Sequence, residues 1–156
     1  MTSLNVNEKD TDPRVWVVVS SALNRAKVLV GKRSSQCNNP GAYGFFGGHM
    51  DDGETPKEAA VREMFEETGV TINPKNLTLI RAVDRKSVML YYYALDVVHF
   101  GTQKPVLTKE VDAYLWFDCA CSDERNEVME DGVAVPLELH YSVKHYLKTQ
   151  KDLAWI

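Results

Sequence analysis

Residues 48–70 read GHMDDGETPKEAAVREMFEETGV, and the acidic residues in this stretch are spaced for metal chemistry. Thr55 is a good helix N-cap, Glu58 completes a capping box with it, and Pro56 suits the first helical position. Ala59, Ala60, Val61, Met64 and Phe65 recur with helical spacing, and Gly69 is placed to end the helix in a left-handed conformation. The pattern predicts one helix over 55–68, preceded by a Gly-rich loop at 44–48, with Val61, Met64 and Phe65 turned towards a core. At about 100° per residue, Glu63, Glu66 and Glu67 fall within roughly a 100° arc. Glu63 and Glu67 form a like-charge i,i+4 pair, which costs about 0.2–0.5 kcal/mol. Glu66 and Glu67 also lie in the last turn, where the helix dipole favours cations. Arg62, four residues from both Glu58 and Glu66, offsets part of this. An acidic face on its own means solvated surface; three carboxylates converging beside a glycine segment suit a hard divalent cation such as Mg²⁺.

The order Gly48, five residues, Glu54, seven residues, Arg62-Glu63-Met64, then Glu66-Glu67, Gly69 and Val70 resembles the Nudix box, G-x5-E-x7-R-E-U-x-E-E-x-G-U with U apolar, at every defined position. The resemblance implies a metal-dependent hydrolase of nucleoside diphosphate derivatives, with Mg²⁺, or Mn²⁺, as cofactor. Carried across residue by residue, it makes Glu63, Glu66 and Glu67 metal carboxylates and has Gly48 offer a backbone carbonyl. Arg62 would orient Glu63 by a charge-assisted hydrogen bond. Gly47 and Gly48 would let the backbone approach the substrate closely. Glu54 fits support of the loop and helix entry better than metal contact. The chain departs from many family members in carrying Phe46, where they have Pro, before the Gly-Gly pair; Phe46 is then a candidate wall of the base or sugar pocket.

Outside the box, Glu110 sits in the loop entering a strand, where family members often carry a Glu that touches metal or acts as base; Asp112 is its near-equivalent. Arg33 ends a strand near the glycines and can pair with a substrate phosphate. Tyr43, Phe45 and Phe46 could stack on a base, although aromatics so placed more often fill a core. His49 reads as loop packing. His140 and His145 lack a third ligand for zinc. Cys37, Cys119 and Cys121 show no metal spacing or catalytic framework, and their odd number suits a reducing, cytoplasmic setting.

The chain has 156 residues, 44% of them hydrophobic and 26% charged, which suits one globular domain over 13–156 after a loose tail at 1–12. Neither a membrane-spanning run nor a secretory h-region is present. With net charge −4 and no long basic run, a nucleic-acid strand finds no footprint, whereas a small nucleotide can bind through bridging metal ions. A homodimer is kept as an option. Strands are predicted at 14–23 and 27–33 as a hairpin, and at 77–83, 88–98 and 113–117, with a second helix at 137–149. The order implies an α/β domain with helices packed on a mixed sheet, and the Nudix resemblance makes it an α/β/α sandwich. Among activities, the GKR…GGH segment is similar to nucleoside triphosphate diphosphatases giving NMP. The alternatives are hydrolysis of ADP-ribose, nucleotide sugars or dinucleoside polyphosphates, a non-catalytic nucleotide-binding module, and Nudix-type isomerases or glycosyl hydrolases.

Overall fold

The computed structural model describes residues 12–21, 23–24, 26–119, 127–130 and 132–153. All of the tail at 1–12 except Asp12 lies outside these residues, as does Cys121. Strand β1 (Arg14–Ser20) organises the fold. Its Val-rich interior is buried on both faces, as a central strand requires. Val15, Val17 and Val19 join one core with Ala59, Ala60 and Met64 of α1 (Pro56–Thr68). Trp16 and Val18 join a second core with Val143 and Tyr146 of α2 (Tyr141–Leu153). Because successive side chains point to opposite faces, the single run VWVVV serves both helices, and the result is an α/β/α sandwich.

One edge of β1 runs parallel to β6 (Val88–Asp96), which pairs antiparallel with β5 (Thr78–Arg85). The other edge is shared. Its second half pairs with β2 (Lys27–Arg33) through Val19↔Leu29 and Ser20↔Val28, the hairpin expected from the sequence. Its first half pairs with β4 (Phe46–His49), Val15 opposite Gly48 and Trp16 opposite Gly47. Beyond the fork, β2 pairs with the short β3 (Tyr43–Gly44) and with β7 (Val111–Asp118).

The glycine segment is therefore not the loop that the sequence suggested; it is strand. A Cβ at Gly47 would lie 1.8 Å from the Val15 carbonyl oxygen, so glycine is needed there for close strand approach. Phe65 is also corrected: it is 56% exposed, because the buried stripe of α1 runs through Ala60, Met64 and Thr68 and leaves it to one side. The second helix begins at Tyr141 and not near 137. The preceding residues pair with β3, with Tyr43 N–H donating to the Glu138 carbonyl and His140 N–H to that of Tyr43. A hairpin of β8 (Glu127–Glu130) and β9 (Val133–Pro136) was not anticipated, although the Asp131-Gly132 pair is a strong hairpin signal.

Candidate metal centre and adjoining cavity

Helix α1 begins and ends as its sequence dictates. Thr55 Oγ1 accepts from Glu58 N–H, the Glu58 carboxylate accepts from Thr55 N–H, and Gly69 closes the helix at φ 78°. With both ends fixed, the last two turns present Glu63 and Glu67 towards β4. The carboxylates of Glu63, Glu67 and Glu110 come together there, with one oxygen of each within 4.8 Å of the others.

Two of these carboxylates are deeply placed. Glu67 is 7% exposed, and its Oε2 accepts from Gly47 N–H at 2.7 Å. Burial pushes Glu67 well above the ordinary carboxylate range, and the charges of Glu63 and Glu110 push the same way. Burial likewise raises Glu63 to about 7, against the pull of the Arg62 guanidinium. A methyl group at Gly48 would come within 3.2 Å of Glu63 Oε1, so the glycine leaves room for that carboxylate.

Arg62 is the hub of the rim. It grips Glu54 with two hydrogen bonds of 2.8 and 2.9 Å, and that pairing lowers the Glu54 pKa. It also donates to Glu63 at 3.1 Å, to Glu66 at 3.2 Å and to the His49 carbonyl at 3.0 Å. Asp51 lies 3.3 Å away. Of the two acids four residues away, Glu66 pairs with Arg62 and Glu58 does not, because its side chain is engaged in the capping box. Glu66 is exposed and faces Arg62, outside the three-carboxylate cluster.

The donor set fits a hard dication. It consists of carboxylate oxygens, it is small enough to close on one ion, and its negative charge is poorly compensated. Among the described residues, Arg62 reaches Glu63, but no ion pair joins Glu67 or Glu110.

Beside the glycines lies a cavity of about 220 Å³, lined by Arg14, Trp16, Arg33, Gly47, Gly48 and His140, among others. Arg33 Nε donates to the Asn38 carbonyl at 2.5 Å, and Arg14 donates to that of Asp12. His140 Nδ1 accepts from Ser142 N–H, and burial lowers its pKa to about 3, so the ring is neutral. A second cavity of similar volume shares Asn39, His140 and Tyr141 with the first. A larger cavity of about 630 Å³ is lined by Leu29, Val97, Phe100 and Trp116 among others; neither it nor the first cavity is lined by a clustered carboxylate, but only the first is lined by Gly47 and Gly48, which adjoin Glu67 and Glu63.

The structure thus brings Arg33, Gly47, Gly48, Arg62, Glu63, Glu67 and Glu110 to one region. It does not bring Phe46, whose ring is 1% exposed and packs against Tyr114 in the core, so the expected pocket wall is corrected. Sequence reading missed Arg14, Trp16 and Tyr141 at the cavity and Asp51 beside Arg62.

A fork-edged mixed sheet with two covering helices and a carboxylate cluster at the end of one of them is a Nudix architecture. Residues 10–131 match the NUDIX domain family, and the chain belongs to it. The chain is similar to the NAD-capped RNA hydrolase NPY1 of Saccharomyces cerevisiae, 26% identical over 139 residues. That match covers 86% of this chain and 35% of the yeast protein, so the chain spans about a third of its curated relative's length. A MutT/nudix family protein from Enterococcus faecalis superposes with a TM-score of 0.64 at 17% identity, covering 92% of this chain and 62% of that one. The MutT protein of Methanosarcina mazei Go1 gives 0.59 at 19% identity, covering 92% and 96%.

Proposed function

We propose that the protein is a divalent-metal-dependent Nudix pyrophosphohydrolase that cleaves a phosphoanhydride in a nucleoside diphosphate derivative. The observation that carries this reading is the cluster of Glu63, Glu67 and Glu110, three carboxylates whose charge calls for a cation, set beside a cavity lined by two arginines. Glu63, Glu67 and Glu110, with the Gly48 carbonyl, would hold the ion. When bound, it neutralises pyrophosphate charge and lowers the pKa of a coordinated water.

The chain's own groups supply the rest. Arg14 and Arg33 bind phosphate oxygens; the 630 Å³ cavity is mostly apolar and less suited to a pyrophosphate. Arg62 fixes the Glu63 carboxylate. Glu63, fixed by Arg62 beside the ion site, takes the proton of the attacking water. Glu66 holds Arg62 from the solvent side. Catalysis rests mainly on positioning and charge stabilisation.

A nucleoside triphosphate, cleaved to NMP, remains the preferred substrate, with Mg²⁺ as the ion and Mn²⁺ as a substitute. The name of the yeast relative adds the capped end of an NAD-capped RNA to the candidates. The test is a panel of nucleoside triphosphates, ADP-ribose, NAD, NAD-capped RNA, nucleotide sugars and dinucleoside polyphosphates, assayed with Mg²⁺ for nucleoside monophosphate release, with Glu67→Gln as control. Nucleotide binding without turnover of any anhydride would replace the enzyme with a binding module.

A further inference from the structure

Glu110 is separated from Glu67 by more than forty residues, and something must hold its turn against the end of α1. The last carbonyls of a helix have no partner within it and must find one elsewhere. Here the segment at 106–108 provides two. Val106 N–H donates to the Thr68 carbonyl at 2.9 Å, and Thr108 Oγ1 donates to the Glu67 carbonyl at 2.9 Å. The same Thr108 oxygen accepts from Glu110 N–H and Val111 N–H, each at 3.2 Å. One hydroxyl therefore links the main chains of two clustered carboxylate residues. From the other side, Ser34 N–H donates to the Glu110 carbonyl at 2.9 Å, and Ser34 Oγ to that of Lys109 at 2.5 Å.

Tyr114 is the competing tether. Its hydroxyl lies 3.2 Å from the Glu67 carbonyl and 2.6 Å from that of Val106. A phenol has one proton to donate, and the shorter contact takes it. Thr108 is then the hydroxyl donor to Glu67.

We infer that Thr108 is a positioning residue of the metal centre, its hydroxyl setting Glu110 against Glu67 so that both carboxylates meet one ion. This rests on the metal-site reading above. Thr108→Val removes the hydroxyl at nearly constant shape and releases Glu110 N–H and the Glu67 carbonyl from it, while the Ser34 contacts remain. Thr108→Ser keeps the hydroxyl. Tyr114→Phe removes a tether of the same segment without touching Glu110.

The experiment titrates Mn²⁺ into each protein, following loss of the free-ion electron paramagnetic resonance signal, with thermal melting recorded in parallel. The dissociation constant of Thr108→Val should rise about 10-fold, the scale of a lost supporting contact at a metal site. Thr108→Ser and Tyr114→Phe should stay within about twofold of wild type, although Tyr114→Phe melts earlier. Should Thr108→Val not fold, Thr108→Ala is read by the same criteria. A Thr108 variant that folds and binds Mn²⁺ like wild type overturns the inference, as does a Tyr114→Phe effect of equal size. A wild type that takes up no Mn²⁺ removes the metal-site reading itself, a distinguishable failure.

Discussion

Gly47 N–H donates to Glu67 Oε2 across 2.7 Å, joining the β4 strand of the fork to the last turn of α1. The bond favours the charged form of a carboxylate that burial and two neighbouring acids nevertheless push well above the ordinary range. It also gives the adjacent glycines different roles. Gly47 is confined by the Val15 carbonyl, Gly48 by the Glu63 carboxylate.

Gly47→Ala should accordingly destabilise the protein by roughly 3 kcal/mol or more, because the new methyl meets backbone that cannot move without breaking β1–β4 pairing. Gly48→Ala should cost less stability, since a side-chain carboxylate can shift, but should weaken Mg²⁺ binding. Urea unfolding and metal titration of the two variants check this. Equal unfolding midpoints would contradict the assignment.

Glu66 and Glu67 are adjacent in sequence and should behave differently. With saturating Mg²⁺, the wild type should gain about 2.7 kcal/mol at a hundredfold excess over the dissociation constant. Glu67→Gln should lose most of that gain, and its apo form should be at least as stable as wild type, because a buried charge conflict is removed. Glu66→Gln should retain the gain. Melting curves with and without Mg²⁺ decide, and loss of the gain in Glu66→Gln alone would move the metal centre to the exposed rim.

Arg62→Lys keeps a charge but loses the planar fork that grips Glu54 while reaching Glu63. We expect kcat to fall about 10–100-fold with the fold intact. A fully active lysine variant would reduce Arg62 to a source of charge.

The base can be assigned by comparing Glu63→Gln with Glu110→Gln. Loss of a general base lowers the rate about 10^2–10^4-fold. Glu63→Gln should show such a loss at any metal concentration, whereas Glu110→Gln should recover in part at high Mg²⁺. The reverse pattern would give Glu110 the proton.

The pH dependence of stability has a definite sign. Glu63 and Glu67 have folded pKa values above the ordinary 4.5, Glu63 near 7, so the folded state binds more protons than the unfolded state across that interval. Their favourable contribution is complete below pH 4.5 and is lost as pH rises, for Glu63 through about 7. Glu54, lowered by Arg62, acts oppositely, its contribution present above 4.5 and lost as pH falls. In EDTA the melting temperature should therefore decline between pH 5 and 7.5, less steeply in Glu67→Gln. Identical slopes in the two proteins would show that the buried pair does not govern this range.

Much of the local architecture was legible in the sequence. The limits of α1 follow from Thr55, Pro56, Glu58 and Gly69, each acting on its own turn. The Val-rich run from Val15 to Val19 marked β1 as a strand, and the spacing of Glu63 and Glu67 put both on one side of a helix. These depend on contacts within a few residues, which periodicity encodes directly. The glycine segment was misread because glycine serves turns and close strand approach alike, and only the Val15 carbonyl opposite Gly47 distinguishes them. Glu66 and Glu67 looked equivalent on the helical wheel; the approach of β4 buried one and left the other with Arg62. Glu110 joins the cluster because α1 ends with open carbonyls that the segment before Glu110 satisfies, through Val106 and Thr108. That pairing spans about forty residues of chain. No local periodicity records it, because the groups that meet are main-chain carbonyls and hydroxyls whose partners are chosen only when the sheet brings the segments together.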